Sequence, residues 1–156
     1  HYVLLAPFPG QDAPTAKPGL STWVSVAVPR IVALQLLNAP GIRTFNHLAV
    51  TEFALDARAR EFLTPSYDFN LATNYRPHLD FQRDLRAVRQ PMQVLVGADD
   101  ELFLPQAFAP VLTAAGLPNT VTVVPGVDHI GMSLAPPALA AVVHATQQIA
   151  KPQRAQ

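Results

Sequence analysis

Two stretches decide how this chain reads: Val94-Leu95-Val96-Gly97-Ala98-Asp99-Asp100 and Val121-Thr122-Val123-Val124-Pro125-Gly126-Val127-Asp128-His129. Each is a short run rich in β-branched residues that ends in a glycine-containing loop, the pattern of a strand leading into a turn. The first loop carries carboxylates and the second a histidine. In open parallel sheets, chemistry collects in the loops beyond the carboxyl ends of the strands. One helix and one strand separate Asp100 from His129, so the two belong on adjacent strand ends. A carboxylate there can hold an imidazole, which is the acid–base part of a catalytic triad.

Outward from these stretches, Pro91 opens an alternation of strand and helix. Met92–Val96 reads as a strand and Pro105–Ala115 as a helix closed by Gly116. Val121–Val124 reads as a second strand. Ala138–Ile149 reads as a helix with Leu139, Val142, Val143 and Ile149 on one stripe. At the other end, Tyr2–Ala6 is a continuous apolar run closed by Pro7-Phe8-Pro9-Gly10, as in a buried parallel strand. Residues 11–19 contain Pro14, Pro18 and Gly19 and read as loop.

Between these segments no strand alternation is evident, and the stretch reads as helical. Ser21 or Thr22 would cap a helix through Trp23–Val28, and a second helix from Arg30 to Leu37 would stop at Asn38-Ala39-Pro40-Gly41. Phe45–Phe53 and Leu55–Leu63 also read as helical, with Asp56 as a cap. Pro65–Asp68 reads as a turn, Leu71–Tyr75 as a short piece, and Leu79–Val88 as a helix. The expected organisation is a core strand and loop (1–10), a helical insertion (11–90), core strands and helices carrying the acid and the histidine (91–150), and a polar tail (151–156). Its fold class is α/β, as half of an α/β sheet.

Of the 156 residues, 49% are hydrophobic and only 14% charged. A soluble domain has about a quarter charged. The expectation is that part of this apolar surface is buried against a further segment. Net charge is zero and no basic patch marks a nucleic-acid footprint. The absence of Cys excludes a disulfide framework, a thiolate nucleophile and Cys-based metal sites, and fits a reducing compartment. No apolar run reaches the length of a membrane span. The chain begins abruptly inside a strand-like run, as a fragment or processed product would, so the compartment is not readable and membrane contact is left open.

Three carboxylates compete for the acid role. The Gly-x-x-Asp spacing from Gly97 favours Asp100; Asp99 is the alternative, and Glu101 reads as a solvent-side or capping residue. Among five histidines, only His129 follows a strand and a Pro-Gly turn. His1 is terminal. His47 and His78 lie in the insertion, where a polar face or local hydrogen bond accounts for them. His144 lies within the last helix. No histidine spacing forms a metal pair, so no metal and no cofactor is expected. Ser133 lies four residues past His129 but lacks the Gly-flanked elbow that exposes a nucleophilic hydroxyl and supplies an oxyanion N–H. Ser21, Ser25 and Ser66 read as caps or turns. No Gly-x-Ser-x-Gly occurs in the sequence.

The order of Tyr2–Ala6, the insertion, Pro91–Phe103 and Gly126-Val127-Asp128-His129-Ile130-Gly131-Met132 resembles the C-terminal half of the α/β-hydrolase superfamily. Within it, the chain is similar to the lysophospholipase, monoacylglycerol lipase and serine aminopeptidase-like group. The resemblance implies Asp100 as triad acid, His129 as triad base, and the insertion as a cap that sets substrate choice. Family order is Ser, Asp, His, which implies a serine and an oxyanion hole on an upstream segment. The implied partner is a companion N-terminal polypeptide carrying the nucleophile. The implied activity is hydrolysis of apolar carboxylic esters through an acyl-enzyme. An aminopeptidase-like activity, an Asp nucleophile, and a non-catalytic binding protein of the same fold are the alternatives.

Overall fold

The computed structural model of the protein describes residues 1–10, 12–18, 23–118 and 120–150. The chain divides into two compact units: one formed by His1–Pro18 with Pro77–Gln156, the other by Gly19–Arg76.

The first unit is built on a three-stranded parallel sheet. Its strands are β1 (Tyr2–Leu5), β5 (Met92–Gly97) and β6 (Val121–Val124), in the order β1-β5-β6. Leu4 pairs with Val94, Val94 with Val121, and Gly97 with Val124. Among the described residues of this sheet, only β5 has a neighbour on both sides, and Met92, Val94, Leu95 and Val96 are all buried. That is why Val94-Leu95-Val96 is a continuous apolar run rather than an alternation. On β6, an edge strand, Thr122 and Val123 are exposed. Helix α6 (Pro136–Ala150) packs on all three strands, α4 (Pro105–Ala114) packs on β6, and the one-turn α5 (Gly131–Leu134) packs on β5 and α6. Phe108, Leu112, Met132, Ala138 and Ala145 are the buried residues these helices contribute. As expected, Gly116 closes α4: it takes φ +82°, and Leu117 N–H returns to Leu112 C=O at 2.9 Å.

Helix α3 (Phe81–Ala87) falls in this unit. Asp80 caps it by accepting Arg83 N–H, and its buried Phe81 lies against Gly10, just past β1. The expected insertion of 11–90 compares with a compact second unit of Gly19–Arg76.

The second unit is not the purely helical insertion expected from the sequence. It holds an antiparallel sheet, β2-β3-β4, made of Val24–Val26, Ala49–Phe53 and Ser66–Asp68. Val24 pairs with Phe53, and Glu52 with Ser66, with a register irregularity between Ala49 and Thr51. Val24–Val26 and Ala49–Phe53 are therefore strand within stretches, Trp23–Val28 and Phe45–Phe53, where helix was expected, and Ser66–Asp68 is strand where Pro65–Asp68 was expected to be a turn. Leu55–Leu63 holds only a single 3-10 turn, Ala59–Glu61. The strands are three to five residues long, too short to display a period of two. Their pairing is decided by tertiary partners: Phe53 packs edge-on to both Trp23 and Tyr67, with ring centroids 5.9 and 4.8 Å away.

Helix α1 (Val28–Asn38) has Pro29 in its first turn, where a missing N–H costs nothing. Leu34 of α1, Val50 of β3 and Phe69 of α2 (Phe69–Asn74) form this unit's core, with Ile31, Leu37 and Ala72 around them. Asn38 does more than stop α1. It exchanges two hydrogen bonds with the buried Asn46, at 2.6 and 3.0 Å, and Asn46 also donates to Asn70. Asp56, expected as a cap, accepts the N–H of Ala59 at the start of the 3-10 turn, whose own capping residue is Arg58; Asp68 caps α2. The suggested caps Ser21 and Thr22 and the tail 151–156 lie outside the described residues.

Among the described glycines, the most closely enclosed is Gly97, the last residue of β5. A Cβ there would lie 2.1 Å from the Val127 carbonyl oxygen. Gly97→Ala is expected to lower the stability of the protein by about 3 kcal/mol or more, since the obstruction is backbone and cannot rotate away; urea unfolding checks this.

Candidate active site

The site begins where β5 and β6 end. Past Val124, Pro125 and Gly126 make a turn with Gly126 at φ +68°, as a Pro-Gly turn with a left-handed third residue requires. The turn sends Val127 inward, where it is 1% exposed. The Val127 carbonyl then accepts Asp99 N–H at 3.1 Å, while Ala98 N–H goes to Val124 C=O at 2.9 Å. The two loops are thus tied by backbone hydrogen bonds immediately before each presents its side chain.

Those side chains meet. His129 Nδ1 lies 3.0 Å from Asp100 Oδ2. The Asp100 side chain is fully buried, and the imidazole is 20% exposed. The other carboxylate oxygen, Oδ1, accepts the N–H groups of Leu102 and Phe103, both at 2.8 Å. The Phe103 ring stands edge-on to the imidazole, centroids 5.2 Å apart, and also contacts Phe108 and Phe8. Glu101 accepts the backbone N–H of His129 at 3.0 Å. Asp128 turns the chain into α5 by accepting Gly131 N–H at 2.6 Å.

Burial is the largest influence on the Asp100 carboxyl and pushes its pKa up. The hydrogen bond from His129 comes next, followed by Phe103 N–H, the imidazole's charge and Leu102 N–H. These pull it down, and together they win, holding Asp100 below the ordinary value of 3.8. Asp100 is therefore an anion that accepts hydrogen bonds and does not donate. The adjacent Nδ1 carries the imidazole proton, which places the lone pair of the neutral ring on Nε2. Such a pair can take a proton from a hydroxyl and return it to a leaving group.

The structure separates the three carboxylates considered from sequence. Asp100 alone bonds the imidazole, Asp99 is exposed, and Glu101 serves the histidine's backbone. Ser133 is exposed on α5. His47 bonds Thr44 C=O, His78 pairs with Asp84, and His144 contacts Gln148, each local and exposed. Among the described residues, no cluster of three or more His, Asp or Glu side chains is arranged to hold a metal ion. No helix there is long and apolar enough to cross a membrane.

Sequence reasoning did not single out the Phe103 ring, the two amides beneath Asp100, or the segment Thr15–Lys17 that runs beside them. Thr15 is completely buried, and its hydroxyl has no hydrogen-bond partner among the described residues. Compared with family models, curated proteins and solved structures, the chain matches none of them.

Two outcomes are expected. The stability contributed by Asp100 is complete above its unfolded pKa and is lost as pH falls through its lower folded pKa. Urea midpoints should therefore drop on acidification from about pH 5 downward, and more steeply than in Asp100→Asn. Thr15→Val, which removes the unsatisfied hydroxyl at nearly constant shape, should stabilise the protein by about 1 kcal/mol in the same assay.

Proposed function

We propose that the protein is the acid- and histidine-bearing part of a serine hydrolase of the α/β-hydrolase type, acting on carboxylic esters. The observation that carries this reading is the 3.0 Å contact between His129 Nδ1 and an Asp100 carboxylate that is buried, ionised and fixed by two amides. Burying a charge is costly, and a structural histidine does not require it. The parallel order β1-β5-β6, with both residues just past the strand ends, supports the same reading.

In the proposed reaction the nucleophile is a serine on an upstream segment or companion polypeptide. His129 takes the hydroxyl proton as the oxygen attacks the ester carbonyl. It then protonates the departing alcohol, leaving an acyl-enzyme. Water, deprotonated by the same imidazole, attacks the acyl carbon; the imidazolium returns that proton to the departing serine oxygen and the acid is released. Asp100 stays ionised throughout; it holds the tautomer and stabilises the imidazolium. The preference for esters over amides rests on large apolar side chains that the Gly19–Arg76 unit leaves exposed, among them Phe45, Leu48, Phe62 and Tyr75.

A second reading, a non-catalytic binding protein of the same fold, draws on the absence of Gly-x-Ser-x-Gly from these 156 residues. Fluorophosphonate labelling and p-nitrophenyl ester hydrolysis, with denaturing intact-mass analysis of the same purified material, separate the two. The proposal expects a labelled serine in a Gly-x-Ser-x-Gly segment. It also expects His129→Ala and Asp100→Asn to lower kcat by about 10⁴-fold with folding retained. A single species of this chain's mass that neither labels nor turns over would favour the binding reading.

A further inference from the structure

The segment Thr15–Lys17 is attached to the acid loop by three hydrogen bonds, two of which make Ala16 and Phe103 an antiparallel bridge. Leu104 N–H donates to Thr15 C=O at 2.7 Å, and Lys17 N–H donates to Leu102 C=O at 2.8 Å. Ala16 and Phe103 pair between them as an antiparallel bridge. The Lys17 ammonium then reaches past the bridge to donate to the Asp100 backbone carbonyl at 2.6 Å. These attachments fall on the peptide groups that hold the carboxylate. The N–H of Leu102 binds Asp100 Oδ1 while its C=O is held by Lys17 N–H. Phe103, the second donor to Oδ1, is the residue opposite Ala16. The ammonium takes the remaining backbone carbonyl at the root of the acid.

We propose that Lys17 is a positioning residue for the Asp100–His129 pair: its ammonium fixes the Asp100 peptide, so that the Leu102 and Phe103 amides stay aimed at Oδ1 while Oδ2 stays aimed at the imidazole. Elsewhere the loop is held by Asp99 N–H on the Val127 carbonyl and Asp100 N–H on the Gly97 carbonyl, at 3.1 and 3.3 Å, which leaves the Asp100 carbonyl to the ammonium. Fixing a lysine costs side-chain entropy, and here that cost is set against a charge-assisted hydrogen bond, about twice as strong as a neutral one. The backbone latch places the strap, and the ammonium sets the orientation of the peptide that carries the acid.

The role rests on the acid–base reading of the pair, so the test has one arm that depends on hydrolysis and one that does not. Lys17→Met keeps the stem and loses the donors, whereas Lys17→Arg keeps a cationic donor. The first arm is NMR exchange of the Leu102 and Phe103 amides and of the His129 Nδ1 proton. Lys17→Met should accelerate these about tenfold, the size expected for losing one charged hydrogen bond. Exchange of the Leu95 and Val96 amides in β5 should be unchanged, and Lys17→Arg should restore the slow exchange. The second arm is ester hydrolysis, where Lys17→Met should lower kcat about tenfold with KM unchanged, rescued by arginine. Unchanged exchange in Lys17→Met would overturn the proposal. So would acceleration spread equally through β5, which would make Lys17 merely structural. If wild-type protein shows no hydrolysis, the hydrolase reading fails and the exchange arm still decides whether Lys17 positions the pair.

Discussion

The close approach of two backbones, Gly97 against the Val127 carbonyl, is the constraint on which the site depends. No other residue can stand at the end of β5, because any Cβ would occupy the space of that oxygen. With glycine there, the loop after β6 settles onto the loop after β5, and Asp99 N–H closes on Val127 C=O. Two residues further along each loop or less, the carboxylate of Asp100 and the ring of His129 are at hydrogen-bond distance. The pair is therefore a consequence of strand-end packing rather than of two side chains finding one another from mobile loops. Sites carried on rigid elements in this way hold their geometry more closely than sites built on loops alone.

The energetics of Asp100 follow from where that packing leaves it. A carboxylate removed from water is destabilised unless hydrogen bonds replace its hydration. Three replace it here: two amides on Oδ1 and one imidazole N–H on Oδ2. Their combined effect outweighs desolvation, so the group is more acidic than in water despite its burial. The amides come from Leu102 and Phe103, and Phe103 also sets its ring against the imidazole. One short stretch, Asp100–Leu104, thus supplies the acid, its anchors, a wall for the histidine and the attachment of the Thr15–Lys17 strap.

Much of the first unit was legible in the sequence, and the reasons are physical. Strand β5 and helix α4 carry strong local patterns, the apolar run Val94–Val96 in the sheet centre and a Gly stop at 116; the extent of α6 was legible too, but its expected stripe is not its buried face, since Ala138 and Ala145 are buried while Leu139 and Val143 are exposed. Asp100 was distinguishable from Asp99 by its offset from Gly97, and His129 from the other histidines by the Pro-Gly turn before it. The second unit was misjudged because Val24–Val26 and Ser66–Asp68 are three residues each. A pattern that short cannot separate period two from period 3.6, and the pairing that makes them strands comes from Phe53 and its aromatic neighbours. The strap was unreadable for a different reason. Its bonds to Leu102 and Leu104 are made by backbone atoms, which any sequence possesses, and span more than eighty residues. The one compositional trace is that Lys17 and Lys151 are the only lysines among eleven basic residues.

If Asp100 holds the His129 imidazole in one tautomer, long-range ¹⁵N–¹H correlation at a pH where the ring is neutral reads it out directly. The expected result is a pyrrole-type shift at Nδ1 and a pyridine-type shift at Nε2, both collapsing toward the averaged pattern of a freely exchanging ring in Asp100→Ala. An Nε2-protonated ring, or averaged shifts in the wild-type protein, would contradict it.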